Sequence, residues 1–175
     1  AAEKGHLPAM YELGLLYLYN DPNIEKALVH LTAAASQNNA NAQVTLAKMY
    51  LHGQGVEKDQ ATAKQWLEKA AAQQQPEAAL ELAYLYRELQ DHQQALYFFT
   101  KSAEQNQVQA QYELGNLYDK GIGVDQNYEE AAKWISQAAN AGHIKAQFQL
   151  GQMYYLGQGV KKDATQAAKY YRLAA

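Results

Sequence analysis

Apolar residues recur along this chain at the spacing of an amphipathic helix. Five alanines are each followed four residues later by a leucine and eight residues later by a tyrosine. Positions four and eight residues apart lie on one face of an α-helix. The alanines are Ala9, Ala42, Ala78, Ala110 and Ala146, the leucines are Leu13, Leu46, Leu82, Leu114 and Leu150, and the tyrosines are Tyr17, Tyr50, Tyr86, Tyr118 and Tyr154. The pattern predicts five related helices, each of which we call helix A of its repeat.

A second amphipathic helix, helix B, is predicted after each helix A. Its markers are an alanine and, three residues later, a histidine or an aromatic residue. Four residues before that alanine stands an asparagine or aspartate, whose side-chain oxygen can accept hydrogen bonds from the free amides of a first helical turn. These predicted N-caps are Asn23, Asp59, Asp91, Asn127 and Asp163. In three repeats Gln94, Glu130 or Gln166 stands where it could reach back in a capping box.

Small residues mark two further places in the repeat. Three repeats join helix A to helix B through Gly-x-Gly-Val, as in Gly121-Ile122-Gly123-Val124, and glycine at a helix C-terminus favours a left-handed backbone. Inside helix A, a glycine or alanine follows the leucine, as at Gly115. Because glycine in a helix costs roughly 1 kcal/mol relative to alanine, we expect helices A and B to pack closely at this position.

The combined pattern Ala-xxx-Leu-Gly-xx-Tyr, Gly-x-Gly-Val, Asp and Ala-xx-Trp-xxx-Ala-Ala resembles the Sel-one-like repeat family, which is related to the tetratricopeptide repeats. It covers nearly the whole chain and is most complete in the repeats of Ala42, Ala110 and Ala146, whereas those of Ala9 and Ala78 lack the glycine loop. The resemblance implies an all-α fold, an α-α superhelix in which about ten helices form a right-handed solenoid of about five antiparallel hairpins. It also implies a scaffold that holds other proteins together, in bacterial envelope and host-interaction systems among others, and not an enzyme.

The repeats are predicted to form a single solenoid domain over residues 1–175. Their approximate limits are 7–39, 40–75, 76–107, 108–143 and 144–175. Ala1-Ala2 and Ala174-Ala175 both occupy the double alanine near the end of helix B, and no polar capping repeat of the kind that closes natural solenoids is visible. We therefore expect the segment to be excised from a longer array, with uncapped ends that leave room for self-association.

Composition and motifs exclude several classes of function. The net charge of −3 offers no electropositive stripe for nucleic acid, and polar positions interrupt every apolar run before the ~20 residues that membrane insertion needs. With no cysteine, thiolate metal sites and cysteine nucleophiles are absent. The histidines lack the spacing of a zinc site, the paired glycines follow a helix rather than preceding one, and no nucleophile and base are arranged together. We therefore predict no catalytic residues, no metal and no cofactor.

Helix A is predicted to carry the binding surface, because it lines the concave side of stacked helical hairpins. Its residues that point away from the Ala-Leu-Tyr face should contact a protein or peptide partner. These are Lys48, His52, Tyr84, Arg87, Glu88, Asn116, Asp119, Lys120, Gln152 and Tyr155, with Leu15, Leu18 and Tyr19 in the first repeat. Tyr84, Arg87 and Tyr155 are the predicted anchors, since aromatic residues and arginine carry most binding energy. An ordinary solvated helix surface is the alternative.

Two functions are compatible with this surface. The first is a protein–protein interaction scaffold or adaptor. The second is recognition of bacterial envelope polysaccharide or peptidoglycan, or an accessory role in envelope assembly, because Tyr19, Tyr84 and Tyr155 are in excess of the repeat pattern. The first residues show neither a signal peptide nor a lipid-attachment cysteine. The compartment therefore depends on the resemblance, which favours the bacterial periplasm, cell envelope or secretion over the cytoplasm.

Overall fold

A computed structural model describes residues 7–20 and 22–175, and in this part of the chain there are ten α-helices and no strand. The all-α prediction is thus confirmed. The helices are α1 Leu7–Leu15, α2 Ile24–Ser36, α3 Ala40–His52, α4 Gln60–Ala72, α5 Pro76–Glu88, α6 His92–Glu104, α7 Val108–Lys120, α8 Tyr128–Asn140, α9 Ile144–Leu156 and α10 Ala164–Leu173. A π-helical segment, Leu16–Asn20, continues α1. Odd-numbered helices are the predicted helices A and even-numbered helices the predicted helices B.

The chain divides into two compact units, the first extending to Leu85 and the second beginning at Tyr86. In the first unit α1 packs on α2, α2 on α3, and α3 on α4. In the second unit the same order continues, since each helix from α6 to α10 packs on the next one along the chain. Each unit therefore consists of helices that contact their neighbours in sequence.

All five predicted caps of helix B are confirmed. The side-chain oxygen of Asn23 accepts from the backbone N–H of Lys26, and that of Asp91 from Gln94. Asp59, Asn127 and Asp163 each accept from two amides of the first turn. The reciprocal contact of a capping box is not made by Glu130, whose carboxylate binds Lys133 Nζ at 3.2 Å instead.

The repeat leucines and the small residues beside them form the core of both units. Leu46, Leu82, Leu114 and Leu150 are at most 1% exposed. A β-carbon added to Gly115 would lie 2.6 Å from Cγ1 of Ile135 on α8, and one added to Gly151 would lie 2.8 Å from the ring of Tyr171 on α10. The predicted close approach of helices A and B at this position is confirmed.

The first repeat departs from the regular pattern. Leu13 is 39% exposed although its equivalents are buried. Leu18, predicted to face a partner, is instead buried with Ala27, Leu31 and Met49. The cause is the π-helical segment, because its wider turn changes the angular position of the residues after Leu15 and directs Leu18 into the core. The prediction for Leu18 was wrong.

A buried glutamine connects consecutive repeats, which the sequence pattern did not predict. Gln43, Gln111 and Gln147 directly follow the repeat alanine and are 1%, 4% and 7% exposed. Their side-chain amides donate to the carbonyl oxygens of Ala35, Ala103 and Ala139 at 3.1, 3.3 and 3.1 Å. Each acceptor lies in the last turn of the preceding helix B, where carbonyl groups have no partner within the helix.

Candidate functional site

The ten predicted partner-binding residues all lie in the C-terminal halves of α3, α5, α7 and α9, and none is buried. His52, Arg87, Glu88, Lys120, Gln152 and Tyr155 are exposed, whereas Lys48, Tyr84, Asn116 and Asp119 are half-buried. Lys48, His52 and Tyr84 belong to the first unit and the other seven to the second. The two sets therefore form separate surfaces.

In the first unit, Lys48 connects α3 to α5. Its Nζ forms an ion pair with Glu77 and lies 3.1 Å from Oε1 of Glu81. Burial lowers the pKa of Lys48, but the two carboxylates outweigh burial and the pKa is raised above its usual value. The lysine is therefore firmly charged, and that charge is already compensated by two carboxylates of the next helix A.

In the second unit, Arg87 makes the equivalent connection from the end of α5 to α7. Its Nη1 lies 3.0 Å from Oε2 of Glu113, and its guanidinium carbon lies 5.8 Å from the ring centre of Phe99. The other carboxylate oxygen of Glu113 accepts from Gln109 Nε2 at 3.1 Å. Because both partners are partly solvated, such a pair contributes about 0–1 kcal/mol. The predicted anchor Arg87 thus has a structural contact within its own unit.

The facing surfaces of α7 and α9 are different. Asp119 stands at the position of Arg87 in its repeat, and Gln149 stands at the position of Glu113. Among the described residues no ion pair joins α7 to α9. A cavity of about 500 Å³ lies here, and Asp119, Gln149, Gln152 and Lys145 contribute polar groups to its wall. The side-chain positions that hold earlier repeats together are therefore open toward solvent.

The same cavity has an apolar border, to which Tyr112, Ile144, Phe148 and Leu156 contribute. Phe148 is 51% exposed and Ile144 is 65% exposed. Of the predicted residues, Asp119 and Gln152 meet in this cavity, whereas Tyr155 is not part of its lining. Tyr155 is 58% exposed, and Lys162 Nζ lies 5.9 Å from its ring centre.

Four cavity residues were missed by the sequence prediction: Tyr112, Lys145, Phe148 and Gln149. They lie in the N-terminal halves of α7 and α9, and the prediction had considered only positions near the C-terminal ends of helix A. The available signal was the aromatic residue two positions after the repeat alanine, at Tyr112 and Phe148. That signal does not reveal whether another helix covers the ring.

His143 links the fourth and fifth repeats beside this cavity. Its Nδ1 accepts from the backbone N–H of Ala146 at 3.1 Å and caps α9, while Nε2 lies 3.0 Å from Oε1 of Gln109. The ring stacks on Tyr112 with 4.4 Å between ring centres. Both hydrogen bonds are satisfied when the proton is on Nε2 of the neutral ring. Burial, helped by the positive charge of Lys145, lowers the pKa of His143, which favours this neutral form.

The structure shows neither a spanning helix nor a metal-binding group in the part of the chain it describes. The longest helices have 13 residues, fewer than the ~20 apolar residues that cross a bilayer, and none is sufficiently apolar. Over residues 7–20 and 22–175, no three histidine or carboxylate side chains are grouped so that they could hold a metal ion.

Comparison with known protein families agrees with the repeat geometry. The Sel1 repeat profile matches residues 7–39, 40–74, 76–107, 108–143 and 144–175. The chain belongs to the Sel1 repeat family. Sel1 repeat proteins generally act as protein–protein interaction scaffolds and are generally not enzymes.

Solved Sel1 repeat structures have the same fold. The chain is 32% identical to c5321, a protective antigen of uropathogenic Escherichia coli with an SLR fold, over 99% of its own length and 38% of that chain, with a TM-score of 0.95. It is 29% identical to a Sel1 repeat protein from Oxalobacter formigenes, covering 98% of this chain and 73% of the other, with a TM-score of 0.89. No protein with a curated description matches the sequence. The helical-repeat solenoid fold is therefore established, while this chain spans well under half of the E. coli protein.

Proposed function

We propose that this Sel1 repeat segment is a scaffold that binds a protein or peptide partner on the helix A face of its second unit. The observation that supports this assignment is the cavity between α7 and α9. Earlier helices A are joined by ion pairs of Lys48 and Arg87, but here Asp119, Gln149 and Gln152 line an open cavity of about 500 Å³. Polar groups that are not used to join repeats are available to a ligand.

The chemistry of this surface fits an extended polypeptide. The side-chain amides of Gln149 and Gln152 can donate to and accept from the backbone of a bound segment, and the carboxylate of Asp119 can accept from its N–H groups. Tyr155 offers an exposed aromatic ring near the end of α9, and such rings are common anchors of protein interfaces. The proposed binding residues are therefore Asn116, Asp119, Gln149, Gln152 and Tyr155.

The first unit is proposed to contribute less binding energy. Lys48 is held by two carboxylates, so a partner would have to displace an existing ion pair to use its charge. Lys48, His52 and Tyr84 on the first unit, and Arg87, Glu88 and Lys120 on the second, would then tune affinity rather than anchor the partner.

Selection from a random peptide library tests the proposal. The wild-type chain should enrich a common motif, and Asp119→Ala, Gln152→Ala and Tyr155→Ala together should weaken binding of the selected peptide at least about tenfold, because central interface residues typically contribute more than about 1 kcal/mol each. The matched control is Asp125→Ala, Gln137→Ala and Tyr97→Ala, which removes the same side-chain types from exposed positions away from the cavity. Equal affinity of the two triple variants, or enrichment of no peptide, would contradict the proposal.

A sugar titration distinguishes the polysaccharide alternative. Binding of peptidoglycan fragments that is lost in the cavity triple variant, with no peptide binding, would assign the same surface to envelope polysaccharide. Binding of neither ligand would leave the cavity without the proposed role.

A further inference from the structure

The interfaces between consecutive repeats define what a following repeat covers. In the second unit, Tyr112 on α7 lies under His143 of the next repeat, and their ring centres are 4.4 Å apart. Phe148 is the equivalent residue on α9. It is 51% exposed, and Ile144, one turn earlier on the same helix, is 65% exposed. We call this surface, together with Ala174 at the end of α10, the α9 face.

The same interfaces define what a preceding repeat covers. Leu46 packs with Ala34 and Ala35 of α2, and Met49 packs with Ala27 and Leu31 of the same helix. In the second unit, Leu150 and Met153 pack in the same way on α8. The leucine and the residue three positions after it therefore form the surface by which a repeat attaches to the helix B before it.

In the first repeat this attachment surface is open. Leu13 is 39% exposed and Leu16 is 45% exposed, whereas their equivalents in the other four repeats are 0–7% exposed. We call this surface the α1 face. No helix among the described residues covers it.

The α1 face and the α9 face are complementary because each is one half of the interface that recurs inside the chain. Ala174 corresponds to Ala34, the residue on which Leu46 packs, and it borders the cavity beside Phe148. The side chain of Gln147 adds a polar signal. Its Oε1 is buried with no hydrogen-bond partner, whereas the equivalent oxygen of Gln43 accepts from Gln73 Nε2 at 2.8 Å. The α9 face thus presents apolar groups and lies next to an unsatisfied acceptor.

We propose that a second copy of this chain docks its α1 face on the α9 face, so that repeats continue from one molecule to the next in their internal register. Leu13 and Leu16 of one copy would cover Tyr171 and Ala174 of the other, as Leu46 and Met49 cover α2. The interface joins two different surfaces and leaves one of each free, so association is head-to-tail and open-ended. This proposal concerns the apolar border of the cavity and is independent of partner binding by its polar residues.

Sedimentation velocity of the 175-residue chain over a hundredfold range of concentration tests the proposal. We expect the sedimentation coefficient of the wild type to rise with concentration, and Leu13→Glu and Phe148→Glu each to remain at the monomer value. Val29→Glu is the matched control, because Val29 is 67% exposed on α2 and lies on neither face. Circular dichroism checks that each variant is folded, and Leu13→Ser or Phe148→Ser replaces a variant that is not.

A mixture of the two variants gives the sharper result. Leu13→Glu retains an intact α9 face and Phe148→Glu retains an intact α1 face, so an equimolar mixture should form a 1:1 dimer and nothing larger. A wild type that stays monomeric at every concentration overturns the proposal. So does a mixture that remains monomeric, or association by either variant alone, since the latter would mean that like faces pair. The Asp119, Gln152 and Tyr155 triple variant should associate like the wild type, which separates this outcome from loss of partner binding.

Discussion

The backbone carbonyl of His92 lies directly against Gly123, so closely that a β-carbon on the glycine would come within 2.7 Å of the carbonyl oxygen. His92 begins α6 and Gly123 belongs to the loop after α7. Gln93 strengthens the contact, because its Nε2 donates to the carbonyl oxygen of Gly123 at 3.0 Å. The second glycine of the Gly-x-Gly-Val loop therefore docks one repeat on the first turn of the helix B before it.

Replacement of Gly123 with alanine should destabilise the chain more than replacement of Gly142. Both residues have positive φ, at 72° and 90°, so each alanine should cost roughly 1–2 kcal/mol for the left-handed backbone. Nothing lies within 4 Å of a β-carbon at Gly142, whereas the clash at Gly123 should add roughly 1–3 kcal/mol. Urea unfolding of both variants measures the difference, and equal midpoints would show that the loop does not depend on this contact.

The contact of Gly115 with Ile135 predicts a stabilising coupling between two substitutions. Gly115→Ala alone should destabilise through its clash with Cγ1 and Cδ1 of Ile135, by about 1–3 kcal/mol. The second repeat has Ala47 and Leu67 at these positions, both fully buried. Addition of Ile135→Leu should therefore recover part of the loss, with a coupling of about 0.5 kcal/mol or more in a double-mutant cycle. Strict additivity of the two unfolding free energies would contradict this interpretation of the packing.

His143 predicts a pH dependence of stability. Burial, with the charge of Lys145, lowers the pKa of His143 from 6.5, so the unfolded chain binds the proton more readily than the folded chain. Stability from this group is therefore complete above pH ~6.5 and is lost as pH falls through the lower folded value. Protonation would also put a proton on Nδ1, which accepts from Ala146 N–H.

His143→Asn is the matched variant for this prediction, because Asn39 caps α3 in the same way. Urea unfolding at several pH values between 5 and 8 should show a larger loss at low pH for the wild type than for the variant. Other titrating groups affect both chains alike, so parallel curves would show that His143 makes no contribution.

The buried glutamines should differ in energetic weight. Gln43 uses both ends of its amide, donating to Ala35 and accepting from Gln73, whereas Oε1 of Gln147 has no hydrogen-bond partner. Gln43→Leu should therefore cost more than Gln147→Leu, within the range of about 1–3 kcal/mol for loss of a buried hydrogen-bonded group. Thermal unfolding of the two variants decides the order, and a greater loss for Gln147→Leu would contradict it.

The sequence by itself determined the helices, their caps and the spacing of the repeats. These features depend on residues close together in the chain: Asp91 caps the amide of Gln94 three positions later, and Gly121 ends α7 with a left-handed backbone. Local hydrogen bonds and helical periodicity are encoded over a few residues. The pattern of such segments was therefore readable without coordinates, as was the small residue that lets helix A approach helix B.

Only the tertiary structure decided which surface groups remain available. Arg87 and Glu113 are 26 residues apart, and nothing local to either residue shows that they pair or that Asp119 lacks an equivalent contact with α9. Leu18 became a core residue through a π-helical turn, and Phe148 differs from Tyr112 only in what packs above it. Exposure and pairing depend on the neighbouring repeat, and side chains brought together by packing between repeats have no signature within a single one.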